Sequence, residues 1–285
     1  MTDSEACALF VFVIAHPDDE SMFFLPTIQS LPSSTKKWLI CLSNGNYDGL
    51  GKEREVELNA VALGILRFDR LLLHTQELQD SPIDQWSERV IADILQQDLA
   101  PESVSAFSRV YILTFDSYGV SGHRNHRDTY SGVRCFLSDK QEQERYQRQQ
   151  QFGSNGCGVG SNVCNRPIDY RGWELVSERN AFVKYVPVHH WLWMIFAVWL
   201  LRYPAITAKS TRPSSSAAAT DVRNQMSAES CSSRVITDWS YTMYQPLLNW
   251  KCMARHHTQF VWYRRLFVVF SVYTYSNRWR EIPVP

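Results

Sequence analysis

The chain has 285 residues, 45% hydrophobic and 20% charged, which suits one globular domain with appendages and is ample for a real core. Its 29 basic and 29 acidic residues give a formal net charge of zero, so the basic footprint of a nucleic-acid partner is lacking. Seven scattered cysteines, odd in number and without a CxxC pair, argue against a zinc ribbon or thioredoxin-like site and for reduced thiols in a cytosol-facing protein.

Through the first half, short β-branched and aromatic runs alternate with helical spacing, the signature of an α/β sandwich built on a parallel sheet. Residues 9–15 read as a buried first strand, 20–30 as the helix after it and 38–43 as a second strand. Residues 51–63 read as a helix that stops near Gly64, and 70–74 as a third strand. A helix over 86–99 carries Val90, Ile91, Ile94 and Leu95 at helical spacing. A fourth strand over 110–115 runs into a loop at 116–126 and a helix from about residue 125 to 137. The opening segment 1–6 is acidic and the apolar run after it is short, so no signal peptide is expected there.

Composition shifts after residue 138. Residues 140–151 are nearly all Gln, Glu and Arg, 153–164 are rich in Gly, Asn and Ser, and 209–233 are dominated by Ser, Ala and Thr. Such stretches lack the apolar residues to order themselves, so exposed insertions are expected. The expected organisation is a core at 7–137, insertions at 138–170 and 205–238, an apolar and aromatic segment at 171–204, and an aromatic, basic tail at 239–285.

Two segments carry chemistry, each directly after a strand. The first is Ala15-His16-Pro17-Asp18-Asp19-Glu20, and the second is Gly119-Val120-Ser121-Gly122-His123-Arg124-Asn125-His126. Ligands of open α/β sheets bind beyond the carboxyl ends of the strands, so both lie where a site is expected. An imidazole and a carboxylate three residues apart in a tight turn can share one metal, and zinc accepts both. His16, Asp19 and His126 supply a three-residue set with a position left open for water. Asp18 is then free to act as a general base, and a protonated His123 to face the oxyanion of amide hydrolysis. Taken alone, the first segment also reads as a surface turn with an N-cap aspartate, and the second as solvated histidines.

Together these segments resemble the PIG-L/LmbE family of zinc deacetylases. Ser43-Asn44-Gly45-Asn46-Tyr47, Lys52-Glu53-Arg54, Leu63-Gly64-Ile65, Thr114-Phe115-Asp116 and the tail from Gln259 to Phe267 point to its eukaryotic branch, which serves glycosylphosphatidylinositol-anchor synthesis. The resemblance implies a Rossmann-like sheet sandwiched by helices, with C-terminal decorations. It also implies one zinc per chain on His16, Asp19 and His126, with Asp18 as general base and His123 as electrostatic partner. The implied reaction removes an N-acetyl group from a glucosamine-type glycolipid at the cytoplasmic face of the endoplasmic reticulum, with other proteins of the same synthesis as partners. The rival within the class is a soluble deacetylase of another N-acetyl sugar, and outside it a binding protein with a relic metal site. Arg54 matches an arginine used at the family's substrate, although its helical position equally allows pairing with Glu53 or Glu57. Asn44 is a candidate sugar contact in what is also ordinary turn chemistry.

A membrane surface is the last expected partner. Residues 191–201 form an uninterrupted apolar run with three tryptophans, shorter than the ~20 residues a spanning helix needs and suited to the interface. Trp262, Tyr263, Leu266, Phe267, Val268, Val269 and Phe270 repeat the theme, with Arg264 and Arg265 expected to meet phosphates.

Overall fold

Apolar runs without alternation bury both faces, which confines them to the interior of a sheet covered on each side. The computed structural model of the chain, which describes residues 8–81, 83–153, 168–186, 192, 238–242 and 245–284, places four strands side by side, all but the edge strand buried along most of their length. They are β1 (Ala8–Ile14), β2 (Lys36–Cys41), β3 (Arg70–Leu73) and β4 (Arg109–Phe115). All pair in parallel, with Val11 facing Trp38 on one side and Ile112 on the other. A fifth parallel strand, β5 (Asp169–Leu175), follows β4. Two antiparallel strands, β6 (Asp238–Thr242) and β7 (Ser276–Glu281), complete the order β3-β2-β1-β4-β5-β7-β6.

The chain divides into two compact units, 1–187 with 238–285, and 188–237. Everything described here belongs to the first. In the second, only Leu192 is described, so the apolar run at 191–201 and the stretch at 205–237 lie outside the described residues.

The helices follow their sequence signals with informative departures. The segment expected as one helix over 20–30 is two, α1 (Asp19–Met22) and α2 (Leu25–Ser30), because Pro26 cannot donate to a continuing helix and starts a new one. The next helix, α3 (Gly51–Asn59), widens into a π-type turn over Ala60–Ile65 before the chain leaves for β3. Helix α4 (Glu88–Asp98) buries Ile91, Ala92, Ile94 and Leu95, and is followed by the single turn α5 (Pro101–Val104). After β4 come the turn α6 (Gly119–Gly122) and the long α7 (Arg124–Gly153). Gly132 lets α7 approach α4 closely: a Cβ there would lie 2.4 Å from the Cβ of Ile91.

The expected end of this helix at residue 137 is incorrect: it runs on to Gly153. Gln, Glu, Lys and Arg are good helix formers, so α7 runs on. Lys140 is buried on it, its ammonium 5.1 Å from the ring centres of both Phe136 and Tyr170.

Beyond β5 lie α8 (Ala181–Tyr185), α9 (Pro246–Arg255) and α10 (Trp262–Phe270). The tail belongs to the body of the fold. Trp279 in β7 is fully buried, stacks on Phe24 and donates its indole N–H to Thr27 Oγ1 at 2.7 Å, while Asn277 accepts from the Thr27 amide.

Candidate metal centre and active site

The strand order reverses between β1 and β4, which opens a crevice at their carboxyl ends. His16 leaves β1 on one side, and the segment from Asp116 to His126 leaves β4 on the other. Asp116 organises the second side. Its carboxylate accepts from the amides of Tyr118, Gly119 and Ser177 and from the Ser177 hydroxyl. Val120 sits at φ 64°, uncommon for a β-branched residue, and is held there by its amide on Ser177 Oγ (2.8 Å) and its carbonyl under the Lys184 ammonium (2.9 Å). This delivers His123 and His126 to the crevice.

His16, His123 and His126 offer ring nitrogens that lie within 4.8 Å of one another. His16 and His126 are buried, and His123 stands at the rim. His126 stacks on Phe115 at 3.9 Å and places Nδ1 3.2 Å from the Gly119 carbonyl, which leaves Nε2 toward Asp19 Oδ1 at 3.2 Å. Asp19 Oδ2 accepts the amides of Ala15 and His16. Burial would raise the pKa of Asp19, but the His126 and His16 rings and these hydrogen bonds hold it well below the usual carboxylate range. A carboxylate with one oxygen tied to backbone and the other facing imidazoles is shaped to share a cation with them.

Asp18 is the other carboxylate of the turn. It adopts φ 111°, rare outside glycine, and its amide donates to Glu20 Oε2 at 3.1 Å. Only 2% of it is exposed, and burial raises its pKa against the guanidiniums of Arg264 and Arg54. Arg264 from α10 donates to Asp18 Oδ2 and, at 2.8 Å, to Gln259 Oε1. Of the two arginines expected to meet phosphates, Arg264 thus lies against the buried carboxylate, and Arg265 donates to the Phe260 carbonyl.

Arg54 is buried rather than on a helix surface. It donates to the carbonyls of Gly45 and Pro17, both at 2.8 Å, and stands 3.7 Å from Asp18 Oδ1. Glu57 instead binds Thr258. Asn44 spends its amide on Glu55 at 2.8 Å and does not line the cavity. His123 also differs from expectation. Burial and the neighbouring His126 and His16 rings push its pKa down to about 4, so the ring is neutral at pH 7.

Three participants escaped the sequence reading. Asp80 lies 3.2 Å from His16 Nε2, and Asn125 bridges the two through its amide. His256, fully buried, binds Glu20 Oε1 at 2.7 Å and ties the tail to the metal turn. The resulting cavity, of about 210 Å³, is lined by His16, Asp18, Asp19, Arg54, His123 and His126 among others.

Residues 11–137 match the family model described as PIG-L, GlcNAc-PI de-N-acetylase. A Schizosaccharomyces pombe protein called "Probable N-acetylglucosaminyl-phosphatidylinositol de-N-acetylase" is 42% identical over 43% of this chain and 49% of its own length. The Saccharomyces cerevisiae N-acetylglucosaminyl-phosphatidylinositol de-N-acetylase is 34% identical over 58% of this chain and 56% of its own. A Dictyostelium discoideum relative with the same designation as the first is 28% identical over 95% of this chain and 92% of its own. The chain thus spans about half the length of the first two relatives. The similarity to the PIG-L family thus spans residues 11–137, the part of the chain that carries His16, Asp18, Asp19, His123 and His126.

Proposed function

We propose that this protein hydrolyses the N-acetyl group of N-acetylglucosaminyl-phosphatidylinositol, giving glucosaminyl-phosphatidylinositol and acetate, the second step of glycosylphosphatidylinositol-anchor synthesis. The observation that carries the reading is the meeting of His16, His123, His126 and Asp19 beside the buried Asp18, at the β1/β4 crevice of a PIG-L domain. The relatives' names support the substrate. The place of action in this reading is the cytoplasmic face of the endoplasmic reticulum, with the membrane surface and other anchor-synthesis proteins as partners. Among the described residues, no helix is long and apolar enough to cross a membrane.

The donor set fits zinc. Imidazole nitrogens and one carboxylate oxygen converge there, the ligand types that zinc accepts. His16, Asp19 and His126 would hold the ion. When bound, it supplies Lewis acidity toward the acetyl carbonyl and lowers the pKa of water. Asp18 takes a proton from the attacking water and returns it to the sugar nitrogen as the C–N bond breaks, for which a burial-raised pKa suits it. His123 donates a hydrogen bond to the oxyanion from its neutral ring, as a pKa of about 4 allows. Arg54 holds the loops of Gly45 and Pro17 in place around Asp18.

Acetate release from the lipid-linked substrate and from water-soluble N-acetylglucosaminides tests this reading. Faster turnover of the lipid-linked sugar is the expected result. Equal turnover of both would favour a soluble-sugar deacetylase, and none on either a binding protein.

A further inference from the structure

Beside the metal cavity lies a second one of about 370 Å³, within the range of ligand sites. Val120, Tyr185, Tyr263, Leu266, Phe267 and Phe270 form most of its wall, the last four from α10. Met22, Phe23, Ser121 and Arg264 line both cavities, so the two adjoin. The wall is apolar yet open to water: Leu266 is 49% exposed and Tyr263 55%. Leaving such a surface wetted is unfavourable, and covering it with hydrocarbon is the remedy.

Charge narrows the occupant. Two charged residues line this cavity, Arg264 and Lys184; both are cations, and no carboxylate joins them. Lys184 is buried, with its ammonium 2.9 Å from the Val120 carbonyl, and Arg264 stands where the two cavities meet. An apolar channel with cations at its junction to a hydrolytic centre has the polarity of an anionic amphiphile seated head-inward.

We propose that this groove is a subsite for the hydrocarbon of an anionic lipid, whose chain lies along α10 and whose phosphate meets Arg264 and Lys184. The assignment rests on the function proposed above and extends it: the sugar occupies the metal cavity, and part of the lipid occupies its neighbour. Arg264 then divides its donors between Asp18 and the phosphate.

Direct binding of butyl, octyl and dodecyl phosphate, each below the concentration at which it self-associates, tests the proposal without any need for turnover. Affinity rises about two- to fourfold per added methylene, as each leaves water for the groove. Leu266→Asp weakens octyl phosphate by about tenfold, the loss of one leucine contact, and flattens the series. Leu266→Met keeps both. Lys184→Gln lowers affinity for all three chain lengths by one common factor. The unfolding transition of each variant is recorded alongside, and Leu266→Met keeps the comparison valid if the aspartate variant unfolds.

A chain-length-independent affinity in the wild type would overturn the subsite. So would binding to anionic vesicles alone, which would assign the face to a bilayer, or self-association that Leu266→Asp abolishes, which would assign it to a second copy. A flat series with intact deacetylation would sink this inference alone. A rising series without acetate release would leave the groove standing and sink the enzymatic reading.

Discussion

Asp18 and Asp19 are adjacent in sequence, yet their surroundings shift their acidities in opposite directions. Asp19 meets two backbone amides and two imidazoles, which stabilise its charge; Asp18 is buried between guanidiniums that only partly offset its loss of water. Asp18→Asn should therefore retain its metal and lose roughly 10²–10⁴-fold in acetate release. An empty site in that variant, by metal analysis, would make Asp18 a ligand instead. The complementary pair is Asp19→Asn and His123→Ala. Loss of metal is expected in the first and retention in the second, with turnover lowered in both. The reverse pattern would replace Asp19 by His123 in the ligand set, an arrangement the 4.8 Å triangle of imidazoles makes a fair alternative.

At the scale of elements, buried ion pairs lock the loops and the tail. His256 follows α9 and meets Glu20 of α1, with both side chains fully buried. His256→Leu leaves the Glu20 carboxylate buried without its partner, at a cost of about 3–5 kcal/mol in denaturant unfolding. A loss below 1 kcal/mol would contradict a structural role for this pair. His74, at the end of β3, hydrogen-bonds Asp98 at the end of α4 at 2.8 Å, which raises the histidine's pKa against the effect of burial. The folded state thus holds the proton more tightly than the unfolded chain. This contribution is complete below the ordinary histidine value of 6.5, and is lost as pH rises through the raised folded value. Stability measured from pH 6 to pH 9 should fall in the wild type, and His74→Gln should remove that part of the slope. An identical slope in both would contradict the pairing.

The same elements show what the sequence makes legible. β1 is an uninterrupted apolar run, and β2 and β4 are mainly apolar after their basic first residues, so composition locates them. His16, Asp18, Asp19, His123 and His126 follow strand ends, where the fold class puts chemistry. Asp80 and His256 sit among no motif and reach the site only through tertiary packing. β7 was readable in principle, since Asn277 and Trp279 are buried and Arg278 and Arg280 point outward with period two. Its aromatic and basic composition instead suggests a surface. The extension of α7 is a matter of propensity: a polar segment remains a stable helix when residues such as Lys140 find aromatic neighbours.

For the molecule as a whole, parallel pairing brings β1 and β4 together, and the β1/β4 crevice gathers the turn of His16 to Glu20, a histidine turn and an arginine from the tail. The tail thereby contributes to the candidate site as well as to the sheet. The central claim is metal-dependent removal of an N-acetyl group from a lipid-linked glucosamine. The measurement that tests it most directly is acetate release from N-acetylglucosaminyl-phosphatidylinositol by purified protein, before chelation, after chelation and after zinc is restored. Loss of turnover with the chelator and recovery with zinc, in the wild type but not in His16→Ala, is the predicted result. Turnover that survives complete removal of metal, or no acetate from the zinc-loaded protein, would contradict the account.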